Sequence, residues 1–351
     1  MLNITSKQQK ILLALMKKSP QSSSQVYSEL GVLGEKVSLV TVKRALSEML
    51  ARKLLKISGS GRSTAYTINT AGRVFFDIDA GSYCAVDPDK RFGQSGYNFG
   101  LFKNFPNLIF NEKESAVLEA ATEEYRKRIK DLPESIRKKE LERLIIELSW
   151  KSSKIEGNTY TLLDTEKLIL ENRSAPGKTK EETRMILNHK DAFEFVRQNK
   201  TLFKKPNRAV IEELHKVLIR GLGVGFNLRQ KPVGITGAIY RPLDNGFQIA
   251  EALNDLTNRI INLDSPYAKA LLAILGIAYI QPFEDGNKRT GRLLANAALL
   301  AYGLAPLSYR SIDEKEYREA TLIFYELNSI TPLKKIFISQ YDFAARNYAV
   351  K

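Results

Sequence analysis

The residues best able to do chemistry lie together in one stretch, residues 281–292. It reads Gln-Pro-Phe-Glu-Asp-Gly-Asn-Lys-Arg-Thr-Gly-Arg, so two carboxylates and a glycine are followed by three cations. An apolar segment over 268–280 stops at Pro282, and a second apolar periodicity starts near Lys288, which predicts a helix, a loop and a second helix. Three cations therefore crowd the start of the second helix.

Cations at a helix start are at the unfavourable end of the helix dipole, and each costs about 0.3–1 kcal/mol unless an anion joins them. A bound phosphate would remove this conflict, because the first backbone N–H groups are free and Gly286 permits close approach. Arg289 and Arg292, three residues apart, share a helix face, and Asp285 could hold a magnesium ion on the phosphate oxygens. A capping loop, in which Asp285 and Glu284 neutralise the cations locally, is the alternative that the residues alone leave open.

The same stretch resembles the signature of the Fic (Fido) family, which reads His-Pro-Phe-x-Asp/Glu-Gly-Asn-Gly/Lys-Arg-x-x-Arg. The similarity extends along most of residues 110–340 and implies a mainly α fold, a helical Fic core with a β-hairpin flap. It also implies transfer of AMP from ATP, with Mg²⁺, to a hydroxyl side chain of a protein. The matching positions are Pro282, Phe283, Asp285, Gly286, Asn287, Lys288, Arg289 and Arg292.

The resemblance implies a role for each matched residue. Asp285 would hold the metal, Gly286 and Asn287 would contribute anion-hole contacts, and Arg289 would engage the nucleotide phosphates. Arg292 would bind the γ-phosphate or a regulatory carboxylate. The expected sets are Gly286, Asn287, Lys288, Arg289 and Arg292 for nucleotide binding, Asp285 for the metal, and Gln281, Asn287 and Arg289 for catalysis.

One position departs from the family pattern, because Gln281 stands where the family has its general-base histidine. An amide has no proton equilibrium near neutral pH, so it cannot take the proton from an attacking hydroxyl. Loss of a general base typically costs ~10²–10⁴ in rate. Neither His189 nor His215, the two histidines of the chain, lies in the loop. We therefore expect ATP binding to survive and AMP transfer to be weak or absent.

A second motif lies upstream of the core, where a serine and a glutamate four residues apart are followed by glycine and asparagine. Taken alone, it is an ordinary helix C-terminus with a left-handed cap. The resemblance implies an inhibitory helix, here around 141–156, whose Glu156 pairs with Arg292 and blocks productive placement of the γ-phosphate. This motif predicts an autoinhibited nucleotide site. The expected inhibitory residues are Ser152, Glu156, Gly157 and Asn158.

Residues 229–242 carry a further part of the resemblance. In Fic proteins this stretch leads into a hairpin flap that clamps the modified segment of a target protein by strand addition. From the residues alone, the segment is a proline-containing surface loop. The expected flap residues are Val233, Gly234, Ile235, Thr236 and Gly237.

The N-terminal segment is the most basic part of the chain. Residues 1–74 hold 12 basic and 3 acidic residues, within a chain whose formal net charge is +15. Three amphipathic stretches are followed by two short alternating runs, 54–58 and 64–68, around a glycine-rich turn, which predicts a small winged helix-turn-helix (α+β) domain. Its third helix would enter the DNA major groove and its wing would reach the backbone. The expected DNA-binding residues are Ser38, Thr41, Lys43, Arg44 and Arg62.

Winged helices also serve as protein-interaction or dimerisation modules, and this alternative stays open. Because palindromic DNA sites favour two-fold symmetry, we expect a homodimer.

Composition sets the remaining bounds. We expect a DNA-binding winged helix-turn-helix domain over residues 1–74, an ordered linker over 75–112 and a Fic domain over 113–351. A single cysteine, Cys84, excludes an internal disulfide, and one cysteine with two histidines makes a zinc site implausible. We therefore expect a reduced, cytoplasmic protein. No apolar run approaches the ~18 residues that a membrane-spanning helix needs.

Two functions follow from the sequence. The first is a self-inhibited protein adenylyltransferase, impaired by Gln281, that binds ATP and Mg²⁺ and docks a target protein on its flap. The second is a nucleotide-responsive DNA-binding transcriptional regulator whose Fic core no longer transfers AMP.

Overall fold

The computed structural model describes residues 4–130 and 132–349. Helices dominate this part of the chain, so the predicted mainly α class is confirmed. None of the helices described is long and apolar enough to cross a bilayer. The elements are α1 Ser6–Lys17, α2 Ser23–Val32, α3 Leu39–Ala51, β1 Leu55–Ser58, β2 Ala65–Ile68, α4 Thr70–Val74, α5 Ala80–Cys84, α6 Glu112–Lys130, α7 Glu134–Ile155, α8 Leu162–Glu171, α9 Lys180–Gln198, α10 Arg208–Ile219, α11 Gly246–Asn262, α12 Pro266–Ile280, α13 Asn287–Ala301, α14 Glu314–Leu327 and α15 Thr331–Asn347.

The chain divides into two compact units that do not follow its order. Two short segments distant in sequence pack with the N-terminal residues, which sequence pattern had no means of showing. The first unit comprises Met1–Asn111, Ile235–Arg241 and Arg318–Leu333, and the second comprises Glu112–Gly234, Pro242–Tyr317 and Lys334–Lys351.

The first unit begins with three helices and a hairpin, in the order that the sequence predicts. Strand β1 pairs antiparallel with β2, and an isolated bridge joins Gln21 to Tyr66. Serine or threonine side chains cap each helix by accepting a backbone N–H. The helices bury apolar residues of one face against the hairpin and against Ile323 and Leu327 of α14.

The second unit is organised around α12 and α13. Every residue from 268 to 280 is buried, and so are nearly all residues of α13. Helices α7, α9 and α10 contact α13, and α11 contacts α12. A methyl group at Gly276 would lie 2.3 Å from Leu256 Cδ1, so the missing side chain lets α11 approach α12 closely. This core fixes α12 and α13, which lie on either side of the loop at residues 281–286.

The flap segment differs from its predicted form. The predicted hairpin residues, Val233 to Gly237, carry no strand; the two described strands, β1 and β2, lie in the N-terminal hairpin. The Ala238 N–H donates to the Ile235 carbonyl at 3.1 Å, which closes a turn, and Gly237 has φ of +76°. The physical reason is that glycines weaken strand pairing and Pro232 lacks a donor for a ladder.

Candidate functional site

The loop between α12 and α13 begins and ends on residues with left-handed backbone. Gln281 ends α12 at φ +50°, and Gly286 precedes α13 at φ +78°. The backbone angle favours glycine at Gly286, and a Cβ there would lie 3.1 Å from Ile219 Cγ2, so that side chain would have to shift. The helix, loop and helix are therefore present at the position that the sequence predicts.

A histidine from α10 holds the middle of the loop. The His215 ring stacks on the ring of Phe283, with centroids 3.6 Å apart. Its Nε2 contacts the Asp285 carbonyl oxygen at 2.9 Å, and because a carbonyl only accepts, the ring donates. Burial lowers the pKa of His215, so the ring is neutral near pH 7. Sequence reasoning missed this contact, because 70 residues separate its partners.

The side chain of Gln281 is bonded at both polar atoms. Asn287 Nδ2 donates to Gln281 Oε1 at 3.0 Å, and Gln281 Nε2 donates to the Ala278 carbonyl at 2.7 Å. Asn287 also bonds both backbone groups of Phe283, at 2.8 and 2.9 Å. In this arrangement Gln281 and Asn287 shape the loop.

Arg229, almost fully buried, ties the loop to the preceding segment of the second unit. Its Nε donates to the Gln281 carbonyl at 2.6 Å, and its Nη atoms donate to the Lys231 and Leu243 carbonyls. Its own N–H donates to the Pro282 carbonyl at 3.0 Å. Sequence reasoning had only placed Arg229 in the segment that leads to the flap.

Arg292 is fully buried, and the end of α7 accepts its hydrogen bonds. Nε donates to Ser152 Oγ at 2.9 Å, Nη2 to the Ser152 carbonyl at 2.8 Å and Nη1 to Glu156 Oε1 at 2.9 Å. Burial would lower the pKa of the Arg292 guanidinium, but the Glu156 carboxylate outweighs it and raises that pKa. The structure thus brings together Ser152, Glu156 and Arg292 as an ion pair with a supporting serine.

Glu156 is charged in this arrangement. Burial alone would raise the pKa of its carboxyl, but Arg292 and then Lys288 outweigh burial and hold that pKa below its ordinary value. The Lys288 ammonium lies 3.4 Å from Glu156 Oε2. The carboxylate of Glu156, at the end of α7, therefore faces two of the three cations at the start of α13.

The residues after Glu156 fix the end of α7. Gly157 has φ of +97°. Its N–H donates to the Lys154 carbonyl at 2.9 Å, and the Asn158 N–H donates to the Ser153 carbonyl at 3.1 Å, which together form a Schellman cap. Asn158 Nδ2 donates to the Glu182 carbonyl on α9 at 2.9 Å. The cap and this bond position the Glu156 carboxylate.

Arg289 has a hydrogen-bond donor that no described residue accepts. Its side chain is 2% exposed, and Nη2 donates to Asp285 Oδ2 at 2.9 Å. Nη1 is buried and makes no hydrogen bond within the described part of the chain. Burial lowers the pKa of Arg289, with Asp285 opposing. A buried donor without an acceptor costs about 1–3 kcal/mol, so an oxyanion beside it would be stabilised.

Asp285 could hold a magnesium ion only together with a bound phosphate ligand. The Asp285 carboxylate is 60% exposed and is paired with Arg289. Within residues 4–130 and 132–349, no group of three or more His, Cys, Asp or Glu side chains could hold a metal. Magnesium characteristically binds one or two carboxylates together with substrate phosphates.

His189 offers no base to the loop. It lies on α9, fully buried, and neither ring nitrogen has a hydrogen-bond partner among the residues described. Burial, followed by Arg292 and Arg289, lowers its pKa well below the ordinary value. The ring is therefore neutral.

The predicted DNA-binding residues lie in the first unit. Ser38 caps α3, and its Oγ accepts from the Thr41 N–H at 3.2 Å and contacts the Thr41 hydroxyl at 3.0 Å. Lys43 and Arg44 are exposed, and Arg44 pairs with Glu48 at 3.2 Å. Arg62 is exposed in the turn between β1 and β2. The two hydroxyls thus serve the helix cap, whereas the cations face solvent.

Part of the chain is similar to known proteins. Residues 205–299 match the model of the Fic/DOC family. The chain is 31% identical over 176 residues to a protein adenylyltransferase Fic of Nematostella vectensis, covering 48% of this chain and 41% of that protein. It is 29% identical over 170 residues to that of Aedes aegypti, covering 47% and 33%. The match therefore spans less than half of these relatives.

Two solved structures share the fold. One is a Fic domain containing signaling protein from Bacteroides thetaiotaomicron, with a TM-score of 0.56 and 20% identity over 65% of this chain and 94% of that chain. The other is Fic-1, residues 134–508, from C. elegans, with a TM-score of 0.59 and 16% identity over 98% and 92%. The chain therefore contains a segment, residues 205–299, that matches the Fic/DOC family, and about half of the chain is similar in sequence to protein adenylyltransferases.

The first prediction concerns the pH dependence of the Glu156 ion pair. Because its pKa is lowered in the folded state, its stabilisation is present above the ordinary value of 4.5 and is lost as the pH falls through the lowered pKa. At about pH 7, Glu156→Gln should lower the free energy of unfolding by about 3 kcal/mol. The difference should shrink as the pH falls below 4.5.

Urea denaturation followed by fluorescence measures this difference, because Trp150, the single tryptophan, lies on α7. Glu284→Gln, which removes an exposed carboxylate of the loop between α12 and α13, is the control and should change little. A difference between wild type and Glu156→Gln that stays constant down to about pH 3 would contradict the assignment.

Proposed function

We propose that this protein binds ATP with Mg²⁺ at the 281–292 loop and holds the site in an inhibited state. The observation that carries the proposal is the buried Nη1 of Arg289, which has no acceptor among the described residues. The N-terminus of α13 adds backbone N–H groups and a favourable dipole for an anion. Together with Gly286, Asn287 and Lys288, these groups form an expected phosphate-binding set.

Autoinhibition is supported by the contacts of Arg292. Every nitrogen of its guanidinium donates to Ser152 or Glu156. A γ-phosphate would have to compete with the Glu156 carboxylate for the same cation. Because the end of α7 is capped by Gly157 and bound to α9 through Asn158, displacing Glu156 means disrupting a built helix end.

Bound ATP would supply an activated phosphoryl centre. Asp285 would hold the Mg²⁺ that neutralises the charge of the phosphates. Arg289 would orient the phosphates, and Asn287 would keep the loop shaped to receive them. The remaining requirement is removal of a proton from the attacking hydroxyl. Gln281 cannot do this, and His215 has its Nε2 engaged with the Asp285 carbonyl. We therefore propose that AMP transfer to a protein hydroxyl is strongly impaired.

The second prediction tests transfer directly. Incubation with labelled ATP and Mg²⁺ should give no protein-bound AMP for the wild type or for Glu156→Gly. The double variant Glu156→Gly, Gln281→His should become labelled, because it has both a free Arg292 and a base. The label is measured on gels and checked by intact mass.

Gln281→His alone is the matched control, and it should label less than the double variant because Glu156 still occupies Arg292. Labelling by Glu156→Gly with Gln281 in place would contradict the role assigned to Gln281 and would identify a working transferase held off by α7.

A second candidate function is DNA binding by the first 74 residues. Neither the Lys43 ammonium nor the Arg62 guanidinium has an ion pair or hydrogen bond with the residues described, and both side chains are exposed. The excess of basic residues in this segment supports phosphate contacts. Under this proposal the protein is a nucleotide-responsive regulator, and a homodimer on a palindromic site stays a prediction.

The third prediction concerns this basic surface. Lys43→Ala and Arg62→Ala should each weaken binding to duplex DNA selected from a random pool and reduce the salt slope by about one. Fluorescence anisotropy at several salt concentrations measures both quantities. Lys200→Ala, an exposed lysine of the second unit, is the control.

Equal salt slopes for all three variants would contradict DNA contact by these residues. A change in DNA affinity on adding ATP, without labelling, favours the regulator over the transferase.

A further inference from the structure

One limb of the flap is bound to the N-terminal part of the chain. Residues Ile235–Arg241 pack in the first unit, although the residues before and after them belong to the second. The Gly237 carbonyl accepts from Arg91 Nη2. The Ile239 N–H donates to Glu326 Oε1 at 3.0 Å, and the Arg241 N–H donates to the Ser95 carbonyl at 2.9 Å.

These three contacts alternate along the limb. Gly237, Ile239 and Arg241 are every second residue, and Gly237 belongs to the turn closed between Ile235 and Ala238. The limb is therefore held at three points along its backbone, which restricts the conformation of residues 237–241.

The limb is held by a buried ion pair between Arg91 and Glu326. The Glu326 side chain is fully buried, the Arg91 side chain is 3% exposed, and Arg91 Nη1 lies 3.3 Å from Glu326 Oε1. The Tyr83 hydroxyl donates to Glu326 Oε2 at 2.7 Å. A buried ion pair gives little net stability, so burying two charges here calls for a reason beyond packing.

A glycine lets the linker close on this anchor. A Cβ at Gly93 would lie 2.9 Å from the Glu326 carbonyl oxygen and 3.1 Å from the Tyr83 hydroxyl. The next residue, Gln94, donates its N–H to the Glu326 carbonyl at 2.7 Å. The linker and the limb thus both contact one residue of α14, Glu326, the linker at its backbone carbonyl and the limb at its carboxylate.

We infer that Arg91 and Glu326 are positioning residues for the flap: they hold the backbone of the limb so that the flap keeps a fixed conformation for a docking target segment. The inference rests on the proposed function insofar as the flap docks a target. The N-terminal part of the chain then contributes to target docking as well as to any DNA contact. Arg91 and Glu326 act through the backbone of the limb and touch no reacting atom.

The fourth prediction is a selective loosening of the limb. In Arg91→Met, which keeps length and loses the donors, the amides of residues 235–241 should exchange with deuterium about tenfold faster. Exchange within α3, in the same unit, should not change. Glu326→Gln keeps an acceptor for Ile239 and should give a smaller increase. Hydrogen exchange read by mass spectrometry measures each segment.

Asn98→Ala is the matched control, because Asn98 bonds Asn328 in the same unit and makes none of the three limb contacts. It should leave exchange of 235–241 unchanged. Equal acceleration in the limb and in α3 would show general destabilisation and overturn the inference. Unchanged exchange of the limb in Arg91→Met would overturn it as well.

The docking role is tested by measuring AMP labelling in the Glu156→Gly, Gln281→His double variant. Arg91→Met should lower the rate of AMP labelling and leave KM for ATP unchanged. Faster limb exchange with undiminished labelling would overturn the docking role. Absence of both ATP binding and labelling in the parent would count against the proposed function, while the exchange data would still decide whether the anchor exists.

Discussion

The buried guanidinium of Arg292 is the constraint on which the second unit depends. A fully buried cation must find acceptors within the protein, and the end of α7 supplies them through Ser152 and Glu156. Removing one partner of a buried pair costs several kcal/mol, because the other charge is left uncompensated. The Schellman cap at Gly157 and the bond from Asn158 to α9 hold the carboxylate in place.

This interaction also limits what can bind. Only an anion can replace Glu156 at Arg292 without leaving a bare buried charge. Arg289, one helical turn away, still has a buried donor without a protein acceptor. The donors of Arg292 are therefore fully used, whereas Arg289 still has a buried donor for an anion; the proposed inhibition rests on this difference.

The loop itself is held by contacts independent of α7. Arg229 bonds the backbone at Gln281 and Pro282, and His215 stacks on Phe283 and bonds the Asp285 carbonyl. Gln281 joins this framework through Asn287 and the Ala278 carbonyl. A glutamine there satisfies the structure fully and lacks the proton chemistry of a histidine. Shape and reactivity are thus separable at this position.

The ends of the helices that hold the site could be predicted from the sequence, because local residue types determine them. The stop at Pro282, the restart of periodicity near Lys288 and the left-handed cap at Gly157 predict elements that the structure contains. The contacts of His215 with the loop and of Glu326 with Ile239 could not be read, because they join residues 70 and 87 positions apart. The β-hairpin predicted for the flap does not form over residues 233–237, and the reason is local: glycine and proline weaken strand pairing.

Binding of ATP and ADP, measured by titration calorimetry with Mg²⁺, tests the central claim most directly. If Glu156 occupies the place of the γ-phosphate at Arg292, Glu156→Gln should gain about tenfold or more in affinity for ATP and little for ADP. The wild type should bind the two nucleotides almost equally. An equal gain for both nucleotides, or no gain for either, would contradict the account.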